Sequence, residues 1–168
     1  MAAQNPPVRD MTPVGRLSPV LGCLLALTAG GLTTLSAAPF AQWWLGPVAV
    51  ALVYVGIHAL TPAQAALRGW CYGVGLFGSG TSWVFVAIHD YGDTGALLAL
   101  FLTGLFVASL ALFYAVPFWL YRRVTGPRLA FLSFAGAWVL SEWLRTWLFT
   151  GFPWLLLGTS QVDSPLAA

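Results

Sequence analysis

A polytopic bundle of transmembrane α-helices is the fold this sequence predicts, on three observations. Hydrophobic residues make up 59% of the chain and charged ones only 7%, against about 25% charged in an average soluble domain. The mean hydropathy is +0.82. The apolar residues gather into five stretches near the roughly 20 residues that cross a hydrocarbon core, divided by short segments of turn-forming residues. These features exclude a soluble globular domain. The net charge of +2 is too small to suggest a nucleic-acid partner.

Residues 1–14, with three prolines and few apolar groups, are expected to form a disordered tail on the cytoplasmic side, and the bundle occupies 15–168. Its first stretch, about 17–35, is short and rich in Gly and Thr. Arg9 and Arg16 before it, and Ser36-Ala37-Ala38 after it, imitate a signal peptide. Val20-Leu21-Gly22-Cys23 imitates a lipoprotein cleavage site. Arg16 stands too close to Cys23 for an apolar region to fit between them, and further spans follow directly, so a retained first helix is expected. The second stretch, about 40–60, follows Ala38-Pro39 and ends at Thr61-Pro62. The third, about 69–88, runs into Tyr91-Gly92-Asp93; the fourth, about 96–121, meets Thr125-Gly126-Pro127; the fifth covers about 129–149.

Small residues recur at intervals of four on the third stretch: Gly69 and Gly73, Gly75 and Ser79, Gly78 and Ser82. Such faces let a neighbouring backbone approach closely, so Gly73, Gly75, Gly78, Ser79 and Ser82 are assigned to helix packing. Ser133, Ala137 and Ser141 repeat the device on the fifth. The cysteines, Cys23 and Cys71, both fall inside apolar stretches, where a buried structural thiol is expected.

Charge placement orients the bundle. All seven basic residues are arginines. With five spans, Arg9, Arg16, Arg68, Arg122, Arg123 and Arg128 share one face, while Asp90, Asp93, Asp163 and Arg145 share the other. The positive-inside rule makes the arginine face cytoplasmic, so the N-terminus lies inside and the C-terminal end faces the periplasm. Trp43, Trp44, Trp70, Trp119, Tyr121, Trp147 and Trp154 near span ends suit the headgroup region.

Ionisable groups at membrane depth are costly and mark sites worth weighing. His58 reads as an interfacial residue. His89, Asp90 and Asp93 are sequence neighbours pointing different ways, and a solvated loop is expected rather than a metal site. Glu142 and Arg145, three apart on a helix, present their side chains to one face. One reading pairs them as an anchor for the bend at Thr150-Gly151-Phe152-Pro153; the other turns Arg145 toward a cavity to hold a lipid phosphate with its planar donor fork. Gly151 permits the turn, Pro153 stops the helix, and Trp147, Phe152 and Trp154 complete the candidate site. Irregular backbone at this depth must be buried or line a wet cavity. No cofactor or metal is expected. No nucleophile stands beside a base, so no catalytic centre is assigned.

Three motifs in this order resemble the membrane half of bacterial apolipoprotein N-acyltransferases: residues 75–88 entering the acidic loop, Glu142 to Arg145, and Thr150-Gly151-Phe152-Pro153-Trp154 through Ser160-Gln161-Val162-Asp163-Ser164-Pro165-Leu166. The resemblance implies a bacterial inner-membrane enzyme moving an acyl chain from a phospholipid to the amino group of a diacylglyceryl-cysteine on an apolipoprotein. The chemistry would run through a thioester in a nitrilase-like domain whose Glu, Lys and Cys lie beyond Leu166. The chain itself is then expected to anchor that domain and shape lipid access, and to be inactive alone. A non-enzymatic membrane protein, such as a small transporter or an assembly factor, is the competing class. A transporter should show paired broken helices or charges near the midplane, and the sequence shows neither.

Overall fold

Each helix begins or ends on residues suited to the task. The computed structural model describes residues 18–162, 164 and 165, so the tail expected at 1–14 and Asp163 lie outside the described residues. Helix α1, Pro19–Ser36, starts where Ser18 Oγ accepts the Leu21 amide at 3.2 Å and Pro19 fills the first turn. Helix α2 is Leu45–Ile57. Helix α3, Pro62–Gly80, opens on a reciprocal capping box between Thr61 and Gln64. A sharp bend separates it from α4, Trp83–Val86, which continues as a π-helical turn through Ala87–Tyr91. The angle between the two parts is 57°. Helix α5, Ala96–Val124, carries Arg122 and Arg123 in its last turn, where cations suit the negative end of the helix dipole. Helix α6 is Ala130–Trp147.

The described residues are helical and carry no strand. The helix-bundle class is the one predicted, and its helices differ in length. Helices α1 and α5 are long and apolar enough to cross a membrane by themselves, and α3 with its bent continuation makes a third. Helix α2 has 13 residues, about 20 Å at 1.5 Å per residue, against a hydrocarbon core near 30 Å. Helix α6 is diluted by Glu142, Arg145 and three small polar residues. Length and composition by themselves thus qualify two to three helices as spans, while α2 and α6 fall short of that measure alone.

Helix α3 is the central element, packed along α5 on one side and α1 on the other. A Cβ on Gly73 would strike Ala111 of α5, one on Gly75 would strike the Leu27 backbone of α1, and one on Gly30 of α1 would strike the α3 backbone. Ser79 serves the α1 contact by a 2.8 Å hydrogen bond to Thr34, and Thr33 meets the Tyr72 hydroxyl at 3.0 Å. Gly78 and Ser82, expected on the same packing faces, are exposed, at the point where α3 ends and the chain bends. Between α3, α5 and α6 sits an aromatic core of Tyr72, Phe77, Tyr114, Phe118, Phe134 and Trp138.

A candidate lipid-facing site at the end of helix α6

Helix α6 stops abruptly and the chain folds back on it. After Trp147 three consecutive residues take left-handed backbone angles: Phe149 at φ 54°, Thr150 at 74° and Gly151 at 84°. Glycine holds that conformation freely. A Cβ at Gly151 would also meet the Thr146 carbonyl. Phenylalanine and threonine hold it only under constraint, at a cost of about 1–3 kcal/mol each. Leu155, at φ 56°, repeats the strain.

Glu142 and Arg145 supply that constraint. Glu142 Oε1 accepts the Leu157 amide at 2.8 Å and the Trp138 indole N–H at 3.3 Å. Arg145 Nη2 donates to the Leu155 carbonyl at 3.5 Å, and the Arg145 carbonyl accepts the Phe152 amide at 2.7 Å. One turn of α6 therefore holds residues 152, 155 and 157. The two side chains do not form an ion pair with each other: among the described residues the one acid–base contact is His89 to Asp90 at 4.0 Å, both exposed. The direct pair considered from sequence is replaced by two separate ties to one loop.

Arg145 is wholly buried, the largest such side chain in the described protein. Its guanidinium lies 5.0 Å from the Phe77 ring centre and 5.7 Å from that of Tyr114, contacts that partly offset desolvation of the charge. Its Nε and Nη1, like the Tyr114 hydroxyl, have no hydrogen-bond partner. Buried donors of this kind normally find an acceptor, because leaving them empty costs several kcal/mol for a charged group.

Beside this constellation an apolar groove of about 680 Å³ opens between α5 and α6, within the usual size range of ligand pockets. Leu110, Phe113 and Pro117 form its α5 wall, Leu144 and Arg145 its α6 wall, and Phe149 to Phe152 its end. Pro117 lacks the N–H that would bond the Phe113 carbonyl, which loosens α5 at the groove. Trp147 and Trp154 are half exposed: Trp147 stacks edge-on with Trp143, and Trp154 with Trp83 beyond the α3 bend. Pro153 is exposed between them, and Phe152 packs edge-on against Phe106.

The model of the apolipoprotein N-acyltransferase N-terminal domain matches residues 29–168. The chain belongs to the apolipoprotein N-acyltransferase family. An apolipoprotein N-acyltransferase of Pseudomonas syringae pv. tomato is 54% identical over 150 residues, covering 87% of this chain and 30% of that protein. The corresponding protein of Azotobacter vinelandii is 47% identical over 150 residues, 87% of this chain and 29% of that one. That of Methylococcus capsulatus is 47% identical over 147 residues, 85% and 29%. This chain thus spans under a third of the length of the N-acyltransferases it matches.

The groove-forming residues of α5 escaped the sequence. Phe106, Leu110 and Phe113 look like any lipid-facing apolar residues, and Pro117 inside an otherwise unbroken helix was the one available signal. Leu155 and Leu157 were equally silent, since they act through backbone atoms.

Proposed function

We propose that this chain is the membrane-embedded part of an apolipoprotein N-acyltransferase and that its α5–α6 groove admits an acyl chain of the phospholipid donor. The observation that carries this is the 680 Å³ apolar groove ending at the Phe149–Phe152 turn, with the buried, incompletely bonded Arg145 in its wall. An acyl chain suits walls of Leu, Phe and Val. A guanidinium fork suits a phosphodiester. The arginine asymmetry supports the further reading that this end of the bundle faces the periplasm in the bacterial inner membrane, where the diacylglyceryl apolipoprotein would be met.

The chain would anchor and feed the chemistry rather than perform it. Cys23 and Cys71 line one shallow groove with Pro19, Val20, Leu24, Leu27 and Leu67, an apolar setting with no general base in its wall. Incubation with radiolabelled phospholipid should therefore leave no hydroxylamine-sensitive label on the protein; a stable thioester on either cysteine would overturn the assignment of the chemistry elsewhere.

The groove is tested with a phospholipid carrying a photoreactive group near the end of one acyl chain. In phosphatidylglycerol vesicles, labelling should concentrate on residues 106–117 and 144–152. Ser109→Trp, an exposed position in the groove wall, should abolish it. Labelling spread evenly over every lipid-facing helix would sink the proposal.

A further inference from the structure

A second groove lies at the opposite end of the bundle, and its reading does not depend on the proposed function. Arg68, on the first half of α3, is 94% buried by its 6% residual exposure. Its Nη1 donates to the Gly56 carbonyl in the last turn of α2. A Cβ added to Gly22 of α1 would meet Arg68 Cζ, Nη2 and Nε, so the guanidinium lies flat on that glycine. Arg68, Gly22 and Gly56 together close one end of an apolar groove of about 290 Å³. From there the groove runs along α1 past Leu25 and Ala26 to Thr28 and Ala29, with Leu52 and Val55 of α2 as its far lip. The seven helical steps from Gly22 to Ala29 give it a length of about 10 Å.

The cation sits at the helix-end side and the apolar walls run toward the bundle centre. Helix α1 begins at Pro19, three residues before Gly22, and α2 ends at Ile57. Arg122 stands at the same end, its Nε donating to the Leu60 carbonyl at 2.8 Å, with Arg123 beside it and Arg128 just beyond α5. Among the described residues no aspartate or glutamate lies at this end: Asp90 and Asp93 follow α3 at the other, and Glu142 is bound to Leu157. A rim that is positive among the described residues, over an apolar slot, is complementary to a negatively charged headgroup with a hydrocarbon tail. Only one of the three Arg68 nitrogens has a protein acceptor, which leaves two donors of the fork for phosphate oxygens.

We infer that the groove between α1 and α2 binds one acyl chain of an anionic phospholipid, with its phosphate held by Arg68.

The test uses the delipidated chain in mild detergent and counts bound lipid by native mass spectrometry. Dioleoylphosphatidylglycerol should bind at one tight site. Dioleoylglycerol, which has the tails without the phosphate, and glycerol 3-phosphate, which has the phosphate without tails, should each bind about tenfold or more weakly. Thr28→Trp fills the slot from an exposed position and should weaken phosphatidylglycerol about tenfold. Arg68→Lys keeps the charge but loses the fork, and should weaken it several-fold. Leu100→Trp, on the exposed face of α5, should change nothing. Because Arg68 also caps α2, the Thr28 variant carries the decision if the Arg68 variant fails to fold. Unchanged phosphatidylglycerol affinity in Thr28→Trp overturns the inference, as does equal binding of dioleoylglycerol. A Thr28→Trp variant that alters oligomeric mass and not lipid content would assign the groove to a second copy of the chain instead.

Discussion

Arg145 and Glu142 show how two residues of opposite charge can act on one feature without touching. Glu142 holds the loop through an amide, Arg145 through a carbonyl, and each tie shortens the reach of residues 152–157 from α6. Glu142→Ala strips the Leu157 amide and the Trp138 N–H of a charged acceptor, at a cost of about 1.5–3 kcal/mol. Arg145→Met replaces a wholly buried guanidinium, two of whose nitrogens are unbonded, by an apolar side chain of similar length. Such exchanges are often neutral or stabilising. Thermal unfolding in detergent should therefore show a marked loss for Glu142→Ala and little or none for Arg145→Met. A large loss in Arg145→Met would mean that its weak bond to Leu155 and its stacking on Phe77 and Tyr114 dominate. Because both residues act on one loop, the double variant should depart from additivity by about 0.5–3 kcal/mol.

Helix α3 decides the shape of the described bundle because two of its glycine faces are occupied and a third is empty. Gly73 and Gly75 admit α5 and α1 to backbone contact, where any side chain must push a helix away. Gly73→Val should cost about 1–3 kcal/mol by overpacking. Gly78 has only the Val107 side chain at 4.0 Å. There Ala should be tolerated or should stabilise by up to about 1 kcal/mol, through better helix propensity. Paired melting curves for the two variants check this; equal losses would show that the spacing of four, and not the contact, governs both sites. The interval pattern was readable in the sequence. Which of its faces met a partner was not, since Gly78 and Ser82 lie where α3 ends and bends by 57° toward α4.

For the whole molecule, topology is the testable consequence of the arginine asymmetry. In a variant lacking Cys23 and Cys71, single cysteines at Asp93 and at Gly126, both exposed, should differ in intact cells. Asp93→Cys should react with a membrane-impermeant thiol reagent and Gly126→Cys should not. Reaction at position 126 alone would invert the bundle.

Composition and patterning were sufficient for the helical class, the helix order and the family, because burial in hydrocarbon demands long apolar segments and satisfied backbones whatever the neighbours are. The same one-dimensional signal left the helix lengths open. It measures apolar length, and α2 is shortened where residues 38–44 are taken up in turns, a local outcome of folding. Turn chemistry marked Gly151 and Pro153. It gave no sign that Phe149, Thr150 and Leu155 would be held left-handed, since that strain is sustained by hydrogen bonds from residues up to 15 positions away. Glu142 and Arg145 stood out as charges in an apolar helix, yet their partners were settled by how the loop returns. Arg68 and Arg122 read as orientation signals in one dimension. In three they donate to the Gly56 and Leu60 carbonyls at the end of α2, because a helix terminus leaves acceptors that only a neighbouring element can reach. Both grooves lie between helices that are adjacent only after packing, and packing alone created them.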